Sequence, residues 1–341
     1  MNKHINPFKT IVLFALALAP LISIAGDGDN VEKKRTISKT YTVGADDRLS
    51  IDNTFGNVVV TTWDKNEIQV DIEIGVRAPS DEKAQRMMDE IKVSDNQGGK
   101  DINFITEIGN MGKGNKDNGN GNENENERKF YVDYKISMPS KNPLRIENSF
   151  GKVTIPDFAG AASITSKFGE LTTGKISNAK LIHVEFGRAD IGKLNNADLV
   201  LKFNSHSEVA GLAGSSKVDI QFCSHVDMVV DNSISDLVLY ASYSTIFLKV
   251  SNSMSAQVDA YTNFGSFKNR TRNFKISADS DDENSGPKFD QNFSGSAGSG
   301  SAKIKIKSSF GTVRLMNTDD SSKDQDDNND DKGGDKTNVN M

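Results

Sequence analysis

Four side chains have the types and spacing to do chemistry together: His206, Glu208, His225 and Asp227. Each histidine follows an aromatic residue, Phe203 or Phe222, by three positions, and each acid follows its histidine by two. If the two segments are strands on neighbouring rungs of a stack, about 4.8 Å apart, two imidazoles and two carboxylates meet. Such a donor set suits zinc or a similar ion. The competing reading is a solvated polar ladder. Other repeats of the chain put apolar residues at the histidine phase, so the register must slip locally to expose both rings. No metal or cofactor is therefore assigned, and these four residues stand only as candidate ligands.

Nucleophilic and phosphate chemistry find no support. The chain has no G-x-S-x-G, no H-E-x-x-H and no P-loop. A polysaccharide-cleaving enzyme needs paired carboxylates in a groove, usually beside aromatic platforms. Here the phenylalanines follow a repeat that assigns them to the interior, and Trp63 stands alone. No catalytic residue is expected.

Composition excludes other classes. The formal net charge is −6, with 41 Lys and Arg against 47 Asp and Glu, so no nucleic-acid partner is expected, since phosphate recognition needs clustered positive charge. One cysteine, Cys223, excludes an intrachain disulfide framework. Hydrophobic residues are only 35% of the 341, which implies a thin core or sizeable segments without one.

A repeat organises the chain. An alternating apolar run leads to Phe-Gly or a close variant, and a second alternating run follows. The aromatic positions are Phe55, Phe150, Phe168, Phe186, Phe203, Phe222, Tyr243, Phe264 and Phe310, with Phe293 as a degenerate member. From Phe150 to Phe264 they are separated by 18, 18, 17, 19, 21 and 21 residues. Four residues before them lie Ile51, Ile146, Ile164, Ile182, Leu199, Val218, Leu239, Ala260 and Ile306, with Phe289 at that place before Phe293. Same-face residues at spacing two mean strand. After the aromatic the parity changes, because Val58, Val153, Leu171, Ile246 and Val313 lie three residues on. Gly after Phe is the expected site of a positive φ that makes the corner. Asn204 is the next most tolerant replacement for that Gly, while Cys223 and Ser244 are less suited and predict corners of a different shape.

The resulting fold class is all-β. The repeat predicts a single-stranded β-solenoid over residues 141–316, with an inward ladder of Phe and a small α+β cap over residues 39–140. A twisted β-sandwich is the alternative, but a sandwich has no need to keep one aromatic at one phase through seven units. Within the cap, Ser80 predicts a helix N-cap, and Ala84, Met87, Met88 and Ile91 lie on one helical face. Strands at Asp101–Ile108 and Phe130–Met138 are expected to form a hairpin around a flexible Gly/Asn-rich loop, residues 109–127.

The ends read differently. Residues 1–25 carry Lys3 and Lys9, an apolar run and small residues at Ser23 and Ala25, the layout of a secretory signal peptide. Cleavage there leaves no expected membrane span and an extracytoplasmic protein. Residues 26–38 are expected to be a flexible leader. Residues 317–341 hold eight Asp and three Lys and are expected to form a disordered acidic tail, since so few apolar groups cannot offset ordering.

The segment SIDNTFGNVVVTTWDKNEIQVDIEI (residues 50–74), the short helix, the two strands and the repeated SFGxVxI units behind a signal peptide resemble the putative-adhesin family of exported bacterial β-strand-repeat proteins, a domain of unknown function. The likeness spans about Lys39 to Met316. It implies an exported β-solenoid of the Bacteroidota cell envelope, in the periplasm, on the surface or secreted. It brings no catalytic motif. The loop 109–127 and the acidic tail depart from the family pattern. The expected function is a non-catalytic binding, adhesion or scaffold surface whose partner is an envelope protein or glycan. The alternatives are an envelope-stress accessory protein working through a membrane partner and a carbohydrate-active β-helix enzyme.

Overall fold

The computed structural model describes residues 30–109, 130–278 and 289–320. The expected signal peptide, most of the Gly/Asn-rich loop and the tail beyond residue 320 lie outside them. Nearly all the described chain is β-strand. The N-terminal part contains β1 (Val31–Thr42), β2 (Arg48–Phe55), β3 (Val58–Trp63), β4 (Glu67–Ala78), α1 (Asp81–Glu90), β5 (Ile91–Gly98), β6 (Asp101–Ile108) and β7 (Phe130–Pro139). The repeats supply β8 (Leu144–Phe150), β9 (Lys152–Ile155), β10 (Phe158–Lys167), β11 (Glu170–Thr173), β12 (Ile176–Glu185), β13 (Arg188–Asn195), β14 (Asp198–Lys202) and β15 (His206–Gln221). They continue through β16 (Val226–Ser242), β17 (Thr245–Val250), β18 (Ala256–Asn263), β19 (Ser266–Asn269), β20 (Lys275–Ala278), β21 (Asp290–Ala297), β22 (Ala302–Ser309) and β23 (Thr312–Asn317).

The aromatic of each repeat divides two ladders. Strands before it pair in parallel as β6–β2–β8–β10–β12–β14, then the second halves of β15 and β16, then β22 and β18. Strands after it pair in parallel as β7–β3–β9–β11–β13, then the first halves of β15 and β16, then β17, β23 and β19. The register is regular, with Ile51, Ile146, Ile164, Ile182 and Leu199 side by side on successive rungs. All five are at most 1% exposed. Val58, Val153, Leu171, Ile246 and Val313 are fully buried on the other ladder, as their shifted parity requires.

Rung order departs from chain order at the N-terminal end, where β2 and β3 lie between β6 and β7 on one side and β8 and β9 on the other, and again near the C-terminal end. β22 lies between β16 and β18, and β23 lies between β17 and β19. The chain therefore skips a rung after β17 and fills it only at its C-terminal end. The antiparallel pairs β18–β21 and β21–β20 close that end of the first ladder.

The helix expected after Ser80 forms as α1. Ser80 accepts a hydrogen bond from the Lys83 backbone N–H at 3.2 Å, and Ala84 and Met88 are buried where α1 packs on β4 and β1. Two expectations need correction. Residues 31–38 are not a flexible leader, because they belong to β1 and pair antiparallel with β4, Val31 opposite Ala78. β6 and β7 are not a hairpin. β6 pairs with β2 and β5, and β7 pairs with β3 and β4, so the connection between them joins the two ladders. Alternation identifies a strand but not its partner. At the other end, Asn317 is fully buried and Arg272 holds Asp319 and Asp320, so residues 317–320 are part of the fold and not of a disordered tail.

Candidate functional site

The feature that dominates the surface is the aromatic column itself. Phe55, Phe150, Phe168, Phe186, Phe203, Phe222, Tyr243, Phe310, Phe264 and Phe289 stack face to face, with ring centroids 4.7–5.2 Å apart. Ten rings at rung spacing make a column roughly 45 Å long. Phe130 covers the first ring edge-on at 5.0 Å.

The sequence repeat predicts this ladder on the inside, and that expectation is corrected. The eight rings from Phe168 onward are 43–58% exposed. The reason is local. Each strand before these corners ends one residue ahead of the aromatic, and the aromatic itself takes a left-handed backbone, with φ of 47–54° at Phe168, Phe186, Phe203, Phe222, Tyr243, Phe264 and Phe310. That turn swings the ring out and points the next residue inward. Only at Phe55 and Phe150 does the glycine carry the positive φ, with Gly56 at 128° and Gly151 at 144°. The last ring is also reassigned, because Phe289, not Phe293, stacks on Phe264.

The inward position explains the residues that follow the aromatic. Asn204 replaces glycine with a side chain that accepts from the Gly187 backbone N–H at 3.0 Å and donates to the Val184 carbonyl at 3.3 Å. Ser244 accepts from the Cys223 N–H at 3.0 Å and donates to the Ser242 carbonyl at 2.8 Å. The buried Cys223 thiol points at the Leu201 carbonyl, 3.5 Å away, and burial pushes its pKa up, so it is not poised as a nucleophile.

A left-handed backbone at a residue with a Cβ costs about 1–2 kcal/mol, and a stacked aromatic pair returns about 0.5–1.5 kcal/mol beyond its burial. The two are of similar size, so stacking does not by itself account for keeping these rings in water. A substitution pair separates the terms. At Phe186, Gly is expected to be more stable than Ala by about 1 kcal/mol, because Gly alone relieves the backbone. At Phe150, where φ is not positive, the order reverses. Urea melts of the four variants check this, and an Ala variant at residue 186 as stable as its Gly counterpart contradicts it.

Beside the column lies an open groove of about 670 Å³, lined by Phe168, Gly169, Phe186, Gly187, Arg188, Phe203 and Ser205. The candidate metal ligands sit next to it on the second ladder. At the corners of Asn204 and Cys223 one extra residue separates the aromatic from the strand, so His206 pairs with Arg188 and faces outward, while Ser207 and Val226 turn inward. The His206 and His225 rings stack with centroids 5.1 Å apart. Glu208 and Asp227 are register partners. Asp227 Oδ2 lies 2.8 Å from His225 Nε2, and its Oδ1 lies 2.9 Å from Lys249 Nζ. Burial pushes the Asp227 carboxyl up, but Lys249 and His225 outweigh it and hold the group below the usual carboxylate range. Lys249 thus takes the charge-balancing place that a cation would fill. Among the described residues no three His, Cys, Asp or Glu side chains are grouped to hold a metal ion. Among the described residues the third histidine, His183, lies apart on the first ladder, where burial pushes its pKa down.

Sequence reading missed a second outward cluster, Tyr240, Lys307 and Tyr261. Both tyrosines stand three residues before a column aromatic, a phase that faces outward in every repeat, and that phase was a usable signal. Lys307 could not be placed between them without knowing the rung order.

No family model matches the chain, and no curated protein sequence matches it. Three solved structures are similar. A putative cell adhesion protein from Clostridium sporogenes is 11% identical, over 84% of this chain and 100% of that one, with a TM-score of 0.23. A putative adhesin from Bacteroides fragilis is 11% identical over 82% and 97%, with a TM-score of 0.24. A putative lipid binding protein from Parabacteroides distasonis is 10% identical over 82% and 96%, with a TM-score of 0.26. Likenesses this distant decide neither fold nor function for this chain.

Proposed function

We propose that this chain is a non-catalytic β-solenoid of the bacterial envelope and that it works as a binding or scaffold surface. The two parallel ladders running through shared rungs support the solenoid. The aromatic column carries the functional reading. It is long, contiguous, half-exposed and held by a costly backbone geometry, and a large exposed apolar patch marks an interaction surface. Its rings cover one another's faces and offer their edges, so it suits an apolar partner laid along the stack rather than sugars stacked on single rings. An envelope protein fits that demand. Each rung adds a small increment and the sum supplies affinity.

The test compares the purified chain with a triple variant, Phe168→Gly, Phe186→Gly and Phe203→Gly, on immobilised envelope fractions. Glycine is chosen because the left-handed corner tolerates it. Retention of the parent chain and a roughly tenfold loss in the folded triple variant are expected. Equal retention of the two, or release of soluble product from an envelope polysaccharide, overturns the reading.

A further inference from the structure

The insertion of β22 between β16 and β18 builds a site on the outer face of the first ladder, on the strand side of the column aromatics Phe222, Tyr243, Phe310 and Phe264. Asp219, Tyr240, Lys307 and Tyr261 occupy one row on four adjacent rungs. Gln221, Ser242, Ser309 and Asn263 form the next row, also in register. The two rows, Asn263 excepted, line a groove of about 420 Å³. Gln221 donates its side-chain amide to both Asp219 carboxylate oxygens at 3.0 Å and so fixes that end of the row. Lys217 Nζ lies over the Tyr240 ring, 5.9 Å from its centroid. Among the described residues no carboxylate pairs with Lys307, which is exposed between two aromatic neighbours.

We infer that this groove binds an acidic polysaccharide in an extended, β-1,4-linked form. This rests on the reading of the chain as a binding surface, but not on the aromatic column. Spacing selects the occupant. Tyr240 and Tyr261 are two rungs apart, about 9–10 Å along the stack, close to the length of two pyranose residues in an extended ribbon. A peptide strand repeats its side-chain direction every 6.6–6.8 Å, roughly, and falls out of step with the two rings. In a two-fold ribbon, alternate sugars present the same face, so one sugar packs on each tyrosine. The sugar between them lies at Lys307, whose ammonium pairs with a ring carboxylate. Gln221, Ser242 and Ser309 face the ring hydroxyls with donors and acceptors.

Calorimetric titration of the purified chain with hexamannuronate, an acidic β-1,4-linked oligosaccharide, tests the inference against cellohexaose, which has the same linkage and no charge. Hexamannuronate is expected to bind more tightly, and less so as salt is raised. Tyr240→Ala and Tyr261→Ala are each expected to weaken it roughly tenfold, Tyr240→Phe and Tyr261→Phe much less. Lys307→Met is expected to remove the preference for the acidic sugar. The Phe168→Gly, Phe186→Gly, Phe203→Gly variant is expected to bind hexamannuronate as the parent does, so failure here and failure of the envelope-binding reading are separable. No heat with hexamannuronate, equal affinity for cellohexaose, or binding that survives both alanine substitutions overturns the inference.

Discussion

Deletion of residues 302–317, which removes β22 and β23, is expected to unfold the C-terminal rungs rather than shorten the protein neatly. The deleted rung is interior. On one side it covers β16 and β17, and on the other it covers β18 and β19. Ile304, Ile306, Val313 and Leu315 are at most 1% exposed, and losing a buried aliphatic side chain of this size costs about 2–5 kcal/mol. Four such losses exceed what the four-residue β19 and the short β20 can offset. The β18–β21 pair would keep its own hydrogen bonds but lose its attachment to the stack. Two open parallel edges would also be exposed, which promotes association. Hydrogen exchange is the measurement. Amides of residues 256–278 should lose protection in the deletion variant while those of residues 144–220 keep it. Native protection at residues 256–278 would sink the idea. Ile306→Ala supplies a folded version of the experiment, with a stability loss in the 2–5 kcal/mol range, roughly, by urea melt.

Gly187→Ala is expected to destabilise the protein by about 3 kcal/mol. A Cβ on residue 187 would lie 2.0 Å from the Gly169 carbonyl oxygen on the adjacent rung. That oxygen cannot retreat freely, because it accepts the Arg188 backbone N–H at 3.0 Å. The same contact repeats along the stack, with 1.9 Å from residue 169 to the Gly151 oxygen, so a local shift is passed to the neighbouring rung. The φ of Gly187 is not positive, which makes the effect steric rather than conformational. Gly211→Ala is the matched control. Its nearest neighbour is the flexible Lys193 side chain at 3.1 Å, and a change of about 0.5 kcal/mol or less is expected. Equal melting temperatures for the two variants would show that the corners are looser than the geometry implies.

Much of the architecture is legible along the chain, because burial columns follow from alternation. Ile146, Ile164, Ile182 and Leu199 announce their face by their spacing from the next aromatic, and every one is buried. The change of parity at each Phe-Gly announces a corner, and Ser80 announces the start of α1. The corner at Cys223 announces its difference through the loss of glycine, whereas the Ser244 corner keeps the register of its neighbour at Gly311, Ile246 opposite Val313. Residues 206 and 225 announce their proximity through shared phase, and the two rings do stack.

What alternation cannot report is what happens at a residue where the strand stops. By parity Phe168 belongs inside. It lies outside because its backbone is left-handed, and that conformation is held by a bond between rungs, the Phe168 N–H donating to the Glu185 carbonyl at 2.9 Å. The same pattern recurs at Phe186, Phe203 and Phe222. Periodicity is also silent on which rung lies beside which. Tyr240 and Tyr261 are one repeat apart in the chain and two rungs apart in space, because β22 returns between them. The strands, the corners and the buried aliphatic columns are written in the residue pattern, because interactions within a few residues set them. Only the tertiary structure turned the aromatic column outward and placed Lys307 between two tyrosines, because both depend on hydrogen bonds between segments far apart in the chain.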